Sequence, residues 1–143
     1  MMAVDGNGLP LSAKAEDGGR AEVKLALKAI DAISVPVRAN TVKRRPERLV
    51  ADRGYDAGWL RNKLRKRGIN PHIPKRRKRG AKEAPKMRET TAFLYKWRWI
   101  VERTFAWLGW KRKLVVRWER NISIYQGFLN LACMMLVLKE VLK

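Results

Sequence analysis

Residues 48–74 read RLVADRGYDAGWLRNKLRKRGINPHIP. The run RLVA is short and apolar, so it predicts a buried strand that ends at Asp52. DAGWLRNKLRKRG predicts a helix that turns Trp59, Leu60 and Leu64 inward and keeps its cations outward. Gly68 stands where the left-handed cap of that helix falls, and Asp56 where its N-cap falls. INPHIP is then a second short extended piece, with His72 as an ordinary strand residue. A strand–helix–strand unit over 48–73 places the chain in the α/β class.

The flanks extend that unit. VDGNGLPL, residues 4–11, carries Asp-Gly and Asn-Gly, which supply the positive φ of a tight turn, so 1–14 predicts a hairpin with Asp5 in its turn. Val23, Ala26, Leu27 and Ile30 recur at helical spacing, which gives a helix over 20–33. VPVRANTVKRRPE reads as a basic loop. Residues 74–90 have no apolar periodicity and read as a second one. Residues 91–109 read as one long helix, KRKLVVRWER as a connection with a short strand, and 121–142 as a buried terminal helix. Ser123 and Gln126 give that last helix a capping-box signature. Met134 and Met135 read as core.

The 143 residues hold 33 Lys and Arg against 13 acids, a net charge of +20. The excess is confined to residues 41–143, because residues 1–40 balance at five of each. Such a surface calls for a polyanion, and nucleic acid is the commonest one. The single Cys133 allows no internal disulfide and fits a reducing, cytoplasmic setting. One His and one Cys cannot build a zinc cluster. The start lacks the charged-then-apolar pattern of a signal peptide. The longest apolar run, GFLNLACMMLVL, falls short of the roughly 20 residues of a bilayer span, so no membrane is expected.

Residues 95–105, YKWRWIVERTF, contain an acid in unusual company. Tyr95, Arg98 and Glu102 sit at i, i+3 and i+7 and stack along one side of a helix. Leu94, Trp97, Val101, Phe105 and Leu108 form the adjoining apolar side. Glu102 therefore borders the buried face and needs a partner, either Arg98 or a metal ion. The plain alternative is a surface ion pair worth about 0.3–0.5 kcal/mol. Asp52, at the end of an apolar strand, is a frequent ligand position in α/β proteins, and its plain alternative is a turn or capping Asp. Together the two acids can share a divalent metal for phosphodiester chemistry. KRRKR at 75–79 reads as a DNA-facing loop or as a solvated charge run. Among the tryptophans, Trp97 and Trp107 read as core and Trp99 as the candidate for base stacking.

The segments VDGNGLPL, LVADRGYD, GINPHIPKRRKR and YKWRWIVERTFAWLGWKRKLVVRWER, followed by YQGFLNLACMMLVL, resemble bacterial insertion-sequence transposases of families four and five. The Tyr-x2-Arg-x3-Glu and Asp-x-Gly-Tyr motifs are the specific part of that resemblance. It implies a DDE catalytic domain on a ribonuclease H-like fold, truncated at its N-terminal side, with a helical C-terminal part. It implies Asp52 and Glu102 as catalytic residues that hold Mg²⁺ or Mn²⁺, and Tyr95 and Arg98 as positioning groups for transposon-end phosphates. The remaining candidate DNA contacts are Lys75, Arg76, Arg77, Lys78, Arg79, Lys111 and Arg112. The family carries a Lys or Arg some seven residues after its Glu. That place here is Gly109, with Lys111 and Arg112 just beyond. The first Asp of the triad belongs to a strand upstream of the hairpin, so the chain is expected to be inactive alone. Its expected partners are DNA, both transposon ends and target, and an upstream-frame transposase polypeptide or another copy of itself. The expected setting is the bacterial nucleoid. The competing reading is a non-enzymatic basic nucleic-acid-binding protein. A pure binder tolerates Asn at 52 and Gln at 102.

Overall fold

The computed structural model describes residues 1–16, 21–38, 40–77, 79–116 and 118–142. Strands β1 (Met2–Val4) and β2 (Pro10–Ala13) pair antiparallel, followed by helix α1 (Glu22–Asp31). Strands β3 (Val35–Arg38) and β4 (Thr41–Lys43) form a second antiparallel pair. Strand β5 (Arg48–Val50), helix α2 (Gly58–Lys66) and strand β6 (Asn70–His72) make a parallel β–α–β unit. Then come helices α3 (Glu89–Tyr95), α4 (Trp99–Gly109), α5 (Arg112–Val115) and α6 (Ile122–Val141). The architecture is mixed α/β, with three two-stranded sheets among the described residues.

The core lies where α1 and α2 close over the β5–β6 pair. Leu60 and Leu64, one turn apart on α2, are fully buried beside Ala26, Ile30, Ile69 and Ile73. Gly68 takes φ +74° after α2, the left-handed cap that only glycine adopts without strain. Arg61 ties the far side together. It pairs with Asp56 at 2.7 Å and donates to the Ile73 carbonyl at 2.7 Å.

Several expectations are corrected. Residues 35–43 are a hairpin, not a loop. β-Branched Val35, Val37 and Val42 favour extended backbone, and Asn40 accepts the φ of +67° that the turn requires. Val50 and Leu49 are only half-buried, and Arg48 is exposed, so RLVA is not a buried strand. Trp59 is exposed, with the Lys63 ammonium 5.8 Å from its ring. Asp56 does not cap α2, because Arg61 and the Arg76 N–H take its two oxygens. The 91–109 helix is two helices, α3 and α4, joined by a tight 3₁₀ turn at Lys96–Arg98. Crowded aromatic side chains at 95, 97 and 99 lose rotamer freedom in a regular helix, which lowers its cost of breaking there. The KRKLVVRWER segment holds one helical turn, α5, rather than a strand; the Tyr125 hydroxyl donates to the Leu114 carbonyl at 3.1 Å.

The buried face of α4 is Ile100, Thr104 and Leu108; Trp97 and Phe105 are about half exposed, and Trp107 is exposed too. The reason is its docking partner. The turn of the first hairpin lies on α4, with Thr104 Oγ1 donating to the Gly8 carbonyl at 2.7 Å. Gly8 has φ +88°, and a Cβ there meets Thr104 Oγ1 at 2.9 Å, so the close approach depends on glycine.

Asn121, not Ser123, caps α6 by accepting from the Ser123 N–H at 2.8 Å. Gln126 instead ties α6 to β2, donating to the Ala13 carbonyl and accepting from the Ala15 N–H. Helix α6 is not buried. Ala132 is its one buried member among the described residues, and Met134 and Met135 lie about half exposed. Its 20 residues are long and apolar enough, by length and composition, to cross a membrane. The short apolar run in the sequence understated this, because the helix continues on both sides of it.

Candidate active site

Asp52 lies one residue beyond β5 and opens a 3₁₀ turn at Arg53–Tyr55, where its Oδ1 accepts from the Arg53 N–H at 2.6 Å. The turn is pinned from both sides. Tyr55 donates to Glu22 Oε2 at 3.2 Å, and burial together with that carboxylate pushes the phenol up to about 12. The Arg76 guanidinium donates to the carbonyls of Arg53 and Gly54 at 3.0 and 2.9 Å. So the Asp-x-Gly-Tyr motif presents Asp52 on a fixed corner at the end of a strand.

The second element arrives from α3. Its first turn is tied to β6 through His72 Nδ1 and Thr91 Oγ1, 3.3 Å apart. At its end the Tyr95 hydroxyl donates to Asp52 Oδ1 at 2.8 Å. That hydrogen bond, ahead of the Arg53 N–H and the charge of Arg98, holds the Asp52 carboxyl below its usual range against the pull of partial burial. Burial and the Asp52 bond raise Tyr95 in turn.

Arg98 lies with its guanidinium 5.7 Å from the Tyr95 ring and pairs with Glu102 on the first turn of α4. The pair holds Arg98 in its charged form. Its charge also acts on Asp52. Asp52 and Glu102 are thus joined through Tyr95 and Arg98 into one exposed polar chain. The hairpin turn sets where α4 sits. Besides the Thr104 bond, Arg103 Nη2 donates to the Asn7 carbonyl at 2.7 Å.

Lys75, Arg77, Arg79 and Arg112 are exposed, and Lys111 is half-buried beyond the end of α4. Arg76 is exposed as well, but two of its nitrogens are already engaged by backbone. Lys78 lies outside the described residues. Asp5 is a turn residue, its Oδ1 accepting from the N–H groups of Asn7 and Leu9 at 2.9 and 2.8 Å. Sequence reading missed Thr104, Arg103, Arg76 and Tyr55 as supports of the site. Only Tyr55 carried a signal, as the last residue of the Asp-x-Gly-Tyr motif.

Carboxylates are the donor type that divalent ions preferring oxygen take, and here Asp52 is hydrogen-bonded by Tyr95 while Glu102 is paired with Arg98. Among the described residues, no group of three His, Cys, Asp or Glu is placed to hold a metal.

A family model described as the transposase DDE domain matches residues 1–138. A Burkholderia cepacia protein, "Putative transposase for insertion sequence element IS402", is 41% identical over 134 residues, 92% of this chain and 58% of that relative. The chain therefore spans a little over half the length of that relative. No solved structure matches it.

Proposed function

The chain belongs to the transposase DDE-domain family, and from that premise we propose that it forms part of the catalytic domain of a DNA transposase. The reaction is metal-dependent cleavage and strand transfer at insertion-sequence ends. The observation that carries this reading is the Tyr95–Asp52 hydrogen bond of 2.8 Å, with Arg98 paired to Glu102 beside it. The parallel β5–α2–β6 unit, with a carboxylate at its strand end, supports a ribonuclease H-like sheet to which further transposase sequence contributes strands.

In this reading Asp52 and Glu102 hold Mg²⁺ or Mn²⁺, and Asp52 is kept ionised for the task by Tyr95. A bound ion supplies Lewis acidity and an activated water. Arg98, with its planar fork of donors, and Tyr95 hold the phosphates of the DNA end. Lys75, Arg77, Arg79, Lys111 and Arg112 draw in the backbone, with Arg76 bracing the Asp52 turn, and Lys78 belongs to the same basic run. Two carboxylates are too few to hold two divalent ions against their mutual repulsion. The third ligand is assigned to transposase sequence outside these 143 residues or to a second copy, and these residues alone are inert. Its setting is the bacterial cytoplasm, on the nucleoid. Gln126, in the second turn of α6, hydrogen-bonds the Ala13 carbonyl and the Ala15 N–H, so the start of that helix is docked on the first hairpin.

The test is nicking of supercoiled plasmid carrying insertion-sequence ends, with Mg²⁺ or Mn²⁺, by this chain and its Asp52→Asn variant. Each is assayed alone and with the rest of the relative's transposase sequence supplied. Metal-dependent nicking that needs the added sequence and is lost in Asp52→Asn is the expected result. Nicking unaffected by Asp52→Asn overturns the site assignment. Robust nicking by the chain alone overturns the third-ligand assignment. DNA binding without nicking in any arm returns the chain to a non-enzymatic binder.

A further inference from the structure

The side of α4 next to Glu102 carries a feature the proposed reaction does not use. Trp99, Arg103 and Trp107 follow one another at one-turn spacing and form a ladder along the helix. The Arg103 guanidinium lies 4.8 Å from the Trp99 ring and 4.7 Å from the Trp107 ring, held between them. Its bond to the Asn7 carbonyl fixes it there. The ladder opens on a groove of about 940 Å³ between the 5–9 turn, α4 and the end of α6. Trp97 and Trp110 line the same groove, and Trp110 is 84% exposed. Lys111 and Lys139 stand at its rim against one acid, Glu140.

We propose that this groove binds the unpaired bases of a single-stranded nucleic acid. Indole faces accept any base, which gives stacking without sequence preference. The lysines neutralise the phosphates between the bases, and a net charge of +20 favours that polyanion over the whole surface. Arg103 is already ordered, so the ladder is set before the strand arrives and little side-chain freedom is lost on binding. The occupant is a nucleic acid rather than a second copy, because a second copy brings the same net positive charge to these cations. The inference deepens the DNA reading of the neighbouring site and is tested apart from it.

The test follows binding of a labelled oligodeoxythymidine of about 16 nucleotides and of a labelled random duplex by anisotropy. Intrinsic tryptophan fluorescence is recorded in both titrations. The unmodified chain is compared with Trp110→Ala and Trp107→Leu. The expected result is tryptophan quenching by the single strand and a loss of about 5- to 100-fold in its affinity in each variant, with duplex affinity nearly unchanged. Trp110 is too exposed for its truncation to disturb the fold, and quenching in the unmodified chain needs no variant at all. Saturation without quenching, or equal losses on both DNAs, overturns the proposal. A dimer that Trp107→Leu dissociates, with oligonucleotide affinity unchanged, assigns the groove to a second copy and overturns it as well. Duplex binding with no tryptophan response removes the groove alone. No binding of either DNA removes the DNA reading of the Asp52–Glu102 site too.

Discussion

The molecule has two regions built on opposite terms. Around α1, α2, β5 and β6, the apolar side chains other than Trp59 are buried or half-buried, and Leu60 and Leu64 are at zero exposure. From the 96–98 turn to α6 the apolar side chains are larger and more numerous, yet Trp97, Trp99, Phe105, Trp110, Met134 and Leu138 all lie open. The candidate site straddles the seam. Asp52 comes from the covered region and Glu102 from the open one, and they meet only through Tyr95 and Arg98. A carboxylate on a packed corner needs little further support. A carboxylate on α4 depends on how firmly the 5–9 turn holds that helix. The difference teaches that the fold of this domain and the completeness of its site are separate matters.

The largest effect that sharpens the comparison lies in the covered region. Leu60→Ala removes a fully buried side chain and leaves a cavity, so it should cost about 2–5 kcal/mol in urea unfolding. A cost under about 1 kcal/mol would show that the α1–α2 core is not what holds the chain together.

Next comes Asp56→Ala, which strips Arg61 and the Arg76 N–H of a shared acceptor. Two of those contacts are charge-assisted, and about 1.5–3 kcal/mol should be lost near neutral pH. Burial pulls the Asp56 carboxyl up, but the Arg76 N–H and Arg61 together set it below its ordinary value of 3.8. A depressed folded-state pKa contributes stability that is complete above the unfolded value. It fades as pH falls through the folded one. The gap between the unmodified chain and Asp56→Ala should therefore narrow below about pH 4, measured by urea unfolding across pH. A gap that widens in acid would reverse the sign assigned to Asp56.

The two regions also differ in how much the sequence tells of them. Leu60 and Leu64 fall on a helical period, Gly68 stops that helix, and D-G-N-G turns the first hairpin, so these elements are legible from local pattern. Asp52 and Tyr95 were both named as candidates, yet nothing in the sequence says that one hydroxyl reaches the other's carboxylate. Their roles remain proposals. Thr104 was invisible, because a threonine becomes the centre of a buried face only when a particular backbone, here Gly8, comes to meet it. The tryptophans and methionines misled for the converse reason. Apolar periodicity says that a face seeks cover, not that cover is present in these 143 residues. The 35–43 hairpin was masked by Arg38, Lys43 and the two arginines that follow, whose charge reads as loop while Val35, Val37 and Val42 set the backbone.

The smallest effect tests the open region directly. Met134 and Leu138 are one turn apart on α6 and are 55% and 48% exposed. Truncating a side chain that water already reaches removes little transfer free energy and creates no closed cavity. Met134→Ala and Leu138→Ala should therefore each cost under about 0.5 kcal/mol, the ordinary range for surface substitutions. The comparison with Leu60→Ala then spans close to an order of magnitude within one chain. If either α6 change instead costs about 2 kcal/mol, the face is covered in solution by something other than the residues described. Self-association separates the possible reasons, because only a complex of copies makes the unfolding midpoint rise with protein concentration. A large cost that is independent of concentration would mean that α6 packs inward on its own chain. The open groove beside α4 would then close, and the contrast between the two regions would fail at the helix that now defines it.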